Sequence, residues 1–456
     1  MGRAVLILIA GFTLLVTSSW LTLNRISGEA QDEVLSRYSA ATARNAANSA
    51  TQRAIAVMDS SYHTWTAGYS AQSFAGATYW TTIANPTRDR WNVSTKAVYN
   101  GDTANVKVEM QLPSLDRFAW FSNDERGLNW VTGDLITGPI HTNGFFTMSG
   151  TPRFTDEISS TGDTVGTFGH VGTRADTPYV HTAGVQPIID HPEAERWGAP
   201  RIDLVPTRDV TYLQNQAGAD HHWFHRTMWI QLGKKGALAS SFPVAADSLS
   251  VRAGAPSPLL PITTQDWFPA GNPPDSIIPY SHFSTWVIAT DDTCDIHVWG
   301  RFRGELTLAA GRNLYIEDDI VYSGGTGKPT YAVPAACTDY LGLVARDTVF
   351  VAWRGTASAQ DASGPNQHSC GINASILAYQ TFMAQNYNFP KLPATAAPRD
   401  TLFVVGSVVQ NARGNLYTSY PSGYTTRIFT YDPRLATHMP PSFPLYDQES
   451  ILAWIE

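Results

Sequence analysis

Residues 4–23 read AVLILIAGFTLLVTSSWLTL, and no other stretch of the 456-residue chain constrains its organisation as strongly. The run holds no charged residue, and only Arg3 and the α-amino group carry charge ahead of it. A bilayer core takes about 20 apolar residues at about 1.5 Å rise each, so the run is long enough to span. Everything after it is polar enough for water. The chain therefore reads as a single-span protein that carries a large exposed body on a membrane stem. A cleaved secretory signal is the alternative, but such signals have an apolar core of about 7–15 residues and a small-x-small cut site. Trp20, Leu21 and Leu23 fill the place where that site would lie, so a retained anchor is expected. The Lys/Arg bias that sets orientation is thin, with Arg3 on one side and Arg25 on the other. Size and composition favour the body on the extracytoplasmic side of a cell envelope.

The helical pattern does not stop at the membrane. Residues 24–58 hold no proline and one glycine. Ala43, Ala46, Ala47, Ala50 and Ala54, followed by Val57 and Met58, recur at steps of three and four, which is one helical face. If continuous, residues 4–58 form a rod of about 80 Å, its lower half in lipid and its small-residue face packed on the body. The alternative is a short anchor followed by an unrelated helix.

The formal net charge of −8 and the scattered Lys and Arg exclude a nucleic-acid partner, which needs a basic stripe. Only 15% of residues are charged, while 14 Trp, 19 Tyr and 19 Phe stand beside 35 Gly and 28 Pro. That balance suits a β-rich, loop-rich exterior protein. Residues 77–112 read as a three-stranded antiparallel meander, with Asn100-Gly101-Asp102 as the turn between its last two strands. From about 117 the texture changes to short apolar runs cut by glycine, as in VTGDLITGPIHTNGFFTMSGTPRF. It returns at 295–323, 339–353, 371–383 and 400–414. Such runs bury both faces only by stacking. The expected fold is mainly β with a long N-terminal α-helix: a helix over 1–58, a small α+β meander module over 59–116, and a right-handed parallel β-solenoid-like body over 117–456. A β-sandwich is the competitor. A proline- and aromatic-rich segment at about 171–290 reads as an insertion in that body.

Few residues suggest chemistry. Glu317-Asp318-Asp319 would supply the paired carboxylates of a sugar-cleaving β-helix, and Gly169-His170 faintly echoes its glycine-histidine motif, but a turn at the end of a strand explains the acids as well. His221, His222 and His225, beside Asp220, would place two imidazoles on one helical face for zinc; no Glu lies between them, and the flanks look like strand. His141 reads as an internal hydrogen-bonded residue, and Asp361–Asn366 is too irregular for a calcium loop. Cys294, Cys337 and Cys370 form no CxxC pair, which argues against zinc or thioredoxin-like chemistry. Cys337 and Cys370 precede similar apolar runs and are candidates for a disulfide, three buried thiols being the alternative. Trp65, Tyr69, Trp80 and Trp197 would suit sugar or protein contacts if they point outward. No catalytic residue, cofactor or metal site is assigned, and the expectation is a protein without enzymatic activity.

VLILIAGFTLLVTSSWLTLN with ARNAANSATQRAI, then FAWFSNDE, ITGPIHTNGFFTMSGTPRF, NLYIEDDIVYSGG, LGLVARDTVFVA, INASILAYQTFM, FVVGSVVQNARG and YDPRLATHMPPSFP, run from end to end of the chain. In that order they resemble an uncharacterised bacterial family of pilus-assembly-like, minor-pilin-like membrane-anchored surface proteins. The resemblance implies a component of a type IV pilus or a related secretion or assembly system, with adhesion among its expected roles. It implies membrane lipid, other pilin-like subunits and surface polysaccharide or protein as partners. The small-residue face would then serve a pilus-like helix bundle. A carbohydrate-binding or carbohydrate-cleaving β-helix tethered to the membrane is the alternative function, and a plain anchored surface protein a second. Gly11-Phe12-Thr13-Leu14-Leu15 echoes a prepilin start, with Gly2 and Gly11 as candidate processing sites. The leader is apolar rather than basic, and Val16 stands where the usual acid would be, which puts peptidase processing and filament assembly in question.

Overall fold

The structure is a computed structural model that describes residues 2–60, 65–87, 90–161, 180–181, 187–204, 206–219, 221–232, 248–253, 276–279, 286–325, 331–352, 369–385, 387, 399–417, 423–445 and 450–456. The chain is mainly β with one long N-terminal helix, and it forms two compact units: Met1–Pro113 with Asp447–Glu456, and Ser114–Tyr446.

In the first unit a single helix, α1 (Gly2–Ser60), runs unbroken, about 88 Å at 1.5 Å per residue. No proline interrupts it, and Gly11 and Gly28 inside it face open space. Four strands follow: β1 (Tyr69–Phe74), β2 (Ala77–Thr87), β3 (Arg90–Tyr99) and β4 (Asp102–Gln111). They pair as an antiparallel meander in chain order. The β3–β4 turn has positive φ at both central residues, Asn100 at 48° and Gly101 at 90°, the pairing that matches strand twist in a two-residue hairpin. A fifth strand, Ser450–Ile455, pairs antiparallel with β4 and forms the sheet edge. This corrects the expected partition, which kept every residue from 117 to 456 in the body. Its partner lies more than three hundred residues upstream, so nothing local in the sequence marks the pairing.

The second unit is built mostly from parallel pairing, with Met228–Leu232, Ser248–Ala253 and Ser276–Pro279 paired antiparallel. Strands two apart in the chain lie side by side: Glu305–Ala310 with Tyr340–Ala345, that strand with Cys370–Ala378, and that with Thr401–Ala412. A second column pairs Ile296–Phe302, Leu314–Tyr322, Thr348–Val351 and Thr381–Ala384. One unbroken row crosses the first column. It begins Arg196, Ser159, His141, Phe121, Val409 and continues Leu377, Val344, Ala309, Ala289, Trp223. Neighbouring residues along each strand point the other way, so Trp120, Val408, Ile376, Leu343, Leu308 and Ile288 enter the main core.

The order of that row is not the order of the chain. The described strands between 120 and 197 stack outward from one side of Thr401–Ala412, and those between 223 and 378 stack outward from the other. The two ends of the row, Arg196 and Trp223, are therefore close in sequence and about 43 Å apart, at about 4.8 Å per strand step. The helix α2 (Pro206–Ala219) lies in this return path. Val210, Leu213 and Ala217 on α2 bury against Val287, Ala289, Ala309, Val344, Leu377 and Phe121. The segment at about 171–290 is thus not one excursion. Its described parts are the last strands of one end, the return helix and the first strands of the other.

A seam forms where the two directions of stacking meet. The first half of Thr401–Ala412 pairs with Thr426–Tyr431 and the second half with Trp120–Asp124. Gly406 sits at the change of partner with φ +147°, and a Cβ there would lie 2.0 Å from the Ala374 carbonyl oxygen. Two buried ion pairs cross the seam. Arg413 Nη1 donates to Glu125 Oε2 at 2.8 Å, and Arg427 donates to both carboxylate oxygens of Asp134 at 2.6 and 2.8 Å. Arg413 also donates to the Leu128 carbonyl at 3.0 Å and lies 3.7 Å from the Trp130 ring centroid. Glu125 accepts the Trp120 Nε1–H at 3.2 Å. Burial pulls the Arg413 guanidinium below its ordinary pKa, and Glu125 and Asp134 pull it back. Removing one member of such a pair strands the other in low dielectric. Arg413→Met should cost about 3–5 kcal/mol, and the double change Arg413→Met with Glu125→Leu should cost less than the single one, both measured by urea unfolding.

Candidate functional site

The first 36 described residues of α1 with resolved side chains, Arg3–Tyr38, are all exposed except half-buried Gly28. Between Val5 and Leu23, twelve large apolar side chains are 51–74% exposed. At about 1.5–3 kcal/mol for each fully buried side chain, leaving them in water costs on the order of 20 kcal/mol. The helix passes the length and composition test for a membrane span, with a mean hydropathy of 2.1 over its best window and none of that window buried. The polar side chains in the run spend their hydroxyls on the helix itself. Thr13, Thr17 and Thr22 donate to carbonyls four residues back at 2.7–2.8 Å, and Ser18 to the Leu15 carbonyl at 2.9 Å, which lowers the cost of taking these hydroxyls out of water. Gly2 and Gly11 both lie inside this helix.

Burial begins one residue later. Ser39, Ala43, Ala46, Ala47, Ala50, Thr51, Ala54 and Met58 are between 0 and 6% exposed. Their small side chains let the helix backbone approach the sheet face formed by Tyr79, Thr81, Val93, Thr95, Val106 and Val108, all buried too. Arg53 Nη1 donates to the Tyr79 hydroxyl at 3.2 Å, and Ser39 donates to Asp102. The five alanines therefore pack inside the unit, against its own sheet, and present no open face there.

The residues singled out for chemistry are dispersed. Glu317-Asp318-Asp319 forms a bulge: Val298 pairs with Ile316 and Gly300 with Ile320, so three acids oppose Trp299 alone. Glu317 accepts from or pairs with His297 Nδ1 at 2.5 Å. Asp319 accepts the Gly371 amide at 2.8 Å and the Tyr331 hydroxyl at 3.2 Å. Glu317 and Asp319 are 9% and 7% exposed, so these two carboxylates are already committed to internal donors. His221 and His222 follow α2 in a turn, with His221 at φ 60°, and His225 lies beyond a two-residue strand, with its Nδ1 2.7 Å from Asp291 Oδ2. The shared helical face expected for them does not exist. Among the described residues no three His, Cys, Asp or Glu side chains group as a metal site.

His141 lies in the long row, stacked on Phe121 at 5.6 Å. Its Nδ1 is 3.0 Å from Ser159 Oγ and its Nε2 3.1 Å from Asn143 Oδ1, and burial lowers its pKa. Cys294, Cys337 and Cys370 are free thiols, so the expected Cys337–Cys370 bridge is not formed. Cys337 lies in a turn and turns its Sγ to Asp339 at 3.4 Å, whereas Cys370 opens a strand paired to Leu402. Gly169-His170 and Asp361–Asn366 lie outside the described residues. Trp65 packs on Tyr69 at 5.0 Å, and Trp197 is half-buried against the main core.

Several buried acids escaped the sequence reading, Glu125 and Asp134 of the seam and Asp116 among them. Asp116 is fully buried and accepts the Ser375 hydroxyl at 3.1 Å. It sits in a short 3-10 turn, Leu115–Arg117, beside the Ser114–Leu445 bridge. Burial pushes its carboxyl up to about 7, against the downward pull of Ser114 and Ser375. Nothing in the run PSLDRF distinguishes it from a surface capping acid.

A family model described as a domain of unknown function (DUF4900) matches residues 81–162. No curated protein matches the chain. Among solved structures, the competence-associated pilin ComZ from Thermus thermophilus aligns over 85% of this chain and 86% of its own. Its identity is 11% and its TM-score 0.36, below the level that establishes a shared fold.

Two outcomes follow from this geometry. Ala47→Leu, which adds volume at a fully buried helix–sheet contact, should destabilise the first unit by about 1–3 kcal/mol, read from its denaturant midpoint. Asp116 binds its proton more tightly folded than unfolded. Stability should therefore fall as pH rises from about 4 to about 7 and level off above. Asp116→Asn should flatten that slope, measured by urea unfolding at pH 5 and pH 8.

Proposed function

We propose that this protein is a non-enzymatic cell-surface component held in a membrane by residues 4–23, a minor-pilin-like subunit of a type IV pilus or related assembly system. Its second unit, on this reading, is a right-handed β-solenoid displayed on the extracytoplasmic side. The observation that carries the anchor is the abrupt change along one continuous helix. Residues 3–38 are exposed except half-buried Gly28 and are apolar through Leu23, while those from Ser39 on are buried at every third or fourth position. Pairing of strands two apart in the chain supports the solenoid. The end-to-end order of pilin-like blocks supports the assembly role. Energy for association would come from apolar helix surface, at about 25 cal/mol per Å².

Intact-mass analysis of the native protein extracted from membranes tests this directly. A start at Met1, or a cut after Gly2 or Gly11, is expected, with the full chain resisting alkaline carbonate extraction and a chain lacking residues 1–23 appearing in the soluble fraction. A mature chain beginning beyond residue 30 would sink the anchor and the pilin-like reading with it. An intact Met1 would retain the anchor and exclude peptidase processing.

A further inference from the structure

The sheet of the first unit has a second face. Strand alternation turns Tyr79 and Thr81 toward α1 and Trp80 and Thr82 away from it. Cross-strand register places Trp80 beside Lys96, and Lys96 beside Asn105. In the next row Thr82 stands beside Ser94, Ser94 beside Lys107, and Lys107 beside Ile455. These side chains line an open groove of about 710 Å³ that reaches Arg44 of α1 at its rim.

Trp80 is 38% exposed, whereas Trp91 on the helix-facing side is 4% exposed. The indole of Trp80 is therefore not core. Two of the groove's cations are paired: Lys107 Nζ lies 2.6 Å from Glu109, and Arg44 lies 3.6 Å from Glu456. Lys96 has no ion pair among the described residues. Directly paired strand positions hold their Cβ atoms about 4.5–5.5 Å apart, so the Lys96 ammonium and the Trp80 ring reach one bound group together.

An exposed indole takes the CH face of a pyranose. The hydroxyls of Thr82 and Ser94 and the amide of Asn105 match sugar hydroxyls, and an unpaired ammonium beside the ring selects a carboxylate. A nucleic-acid strand would also stack on Trp80, but tracking its phosphates takes a basic stripe, whereas Lys96 is one cation beside the already paired Lys107 and Arg44. We propose that this groove binds an acidic saccharide, one uronic-acid residue lying on Trp80 with its carboxylate on Lys96. The site is independent of any filament role.

The test uses the full chain in lipid nanodiscs and isothermal titration with hexamers of galacturonate, mannuronate and hyaluronan. At least one should bind. Trp80→Ala and Lys96→Gln should each weaken it tenfold or more, Lys96→Arg should stay within about threefold, and the methyl-esterified oligomer should bind at least tenfold more weakly. Circular dichroism of each variant should match the parent, because both side chains are exposed. Failure of all three oligomers, binding unchanged in Trp80→Ala or Lys96→Gln, equal affinity for the neutral ester, or tighter binding of oligothymidylate would each overturn the proposal.

Discussion

Parallel pairing between strands that are near in the chain is the constraint on which the second unit rests. A strand buried on both faces has no water for its amides and carbonyls, so each must meet another strand or a buried side chain, as the Gly371 amide meets Asp319. In Cys370–Ala378 all nine residues are buried, and its partners on either side satisfy the backbone. Each strand then becomes the template for the next. The outer row of small and branched residues follows, since α2 can only close on a flat apolar face. The seam follows as well. Stacking from two directions onto one strand brings remote segments together, and charges met there are solvated by carbonyls, an indole and each other.

Much of this could be read from residues alone, and the losses have physical causes. The absence of proline and the three-four spacing of Ala43 to Ala54 give α1 its continuity. Asn100-Gly101 fixes a hairpin because only a turn with two positive φ values fits there. The glycine-cut apolar runs give the stacked strands. What escaped was order. Parallel contacts carry no local signature, so residues 120–137 give no sign that they join residues 401–431. For the same reason the strand SILAWI could not be assigned to the meander. Glu317-Asp318-Asp319 reads as a solvated turn at the end of a strand, whereas a register break folds two of its carboxylates inward. The partners of Arg413 and Arg427 lie nearly three hundred residues away.

Along α1 two kinds of surface succeed one another on one hydrogen-bonded rod. The first is exposed, apolar and bulky: Phe12, Leu14, Leu15 and Trp20. The second lies against a fixed protein surface and tolerates almost no bulk, hence alanine. Between them, residues 24–38 carry the i,i+4 pairs Arg25–Glu29 and Glu33–Arg37. These pairs steady the exposed stretch of helix that ends where Tyr38 meets Tyr99. The rod can pass from one surface to the other without a break, because its own backbone is satisfied throughout.

The last strand of the first unit arrives only after the whole of the second has been made. A ribosome releasing this chain would deliver the greasy rod and the four meander strands early, and the edge strand last of all. Throughout translation the open side of β4 would offer its unpaired amides and carbonyls to any passing extended peptide. Completion of the small unit thus waits on synthesis of the large one.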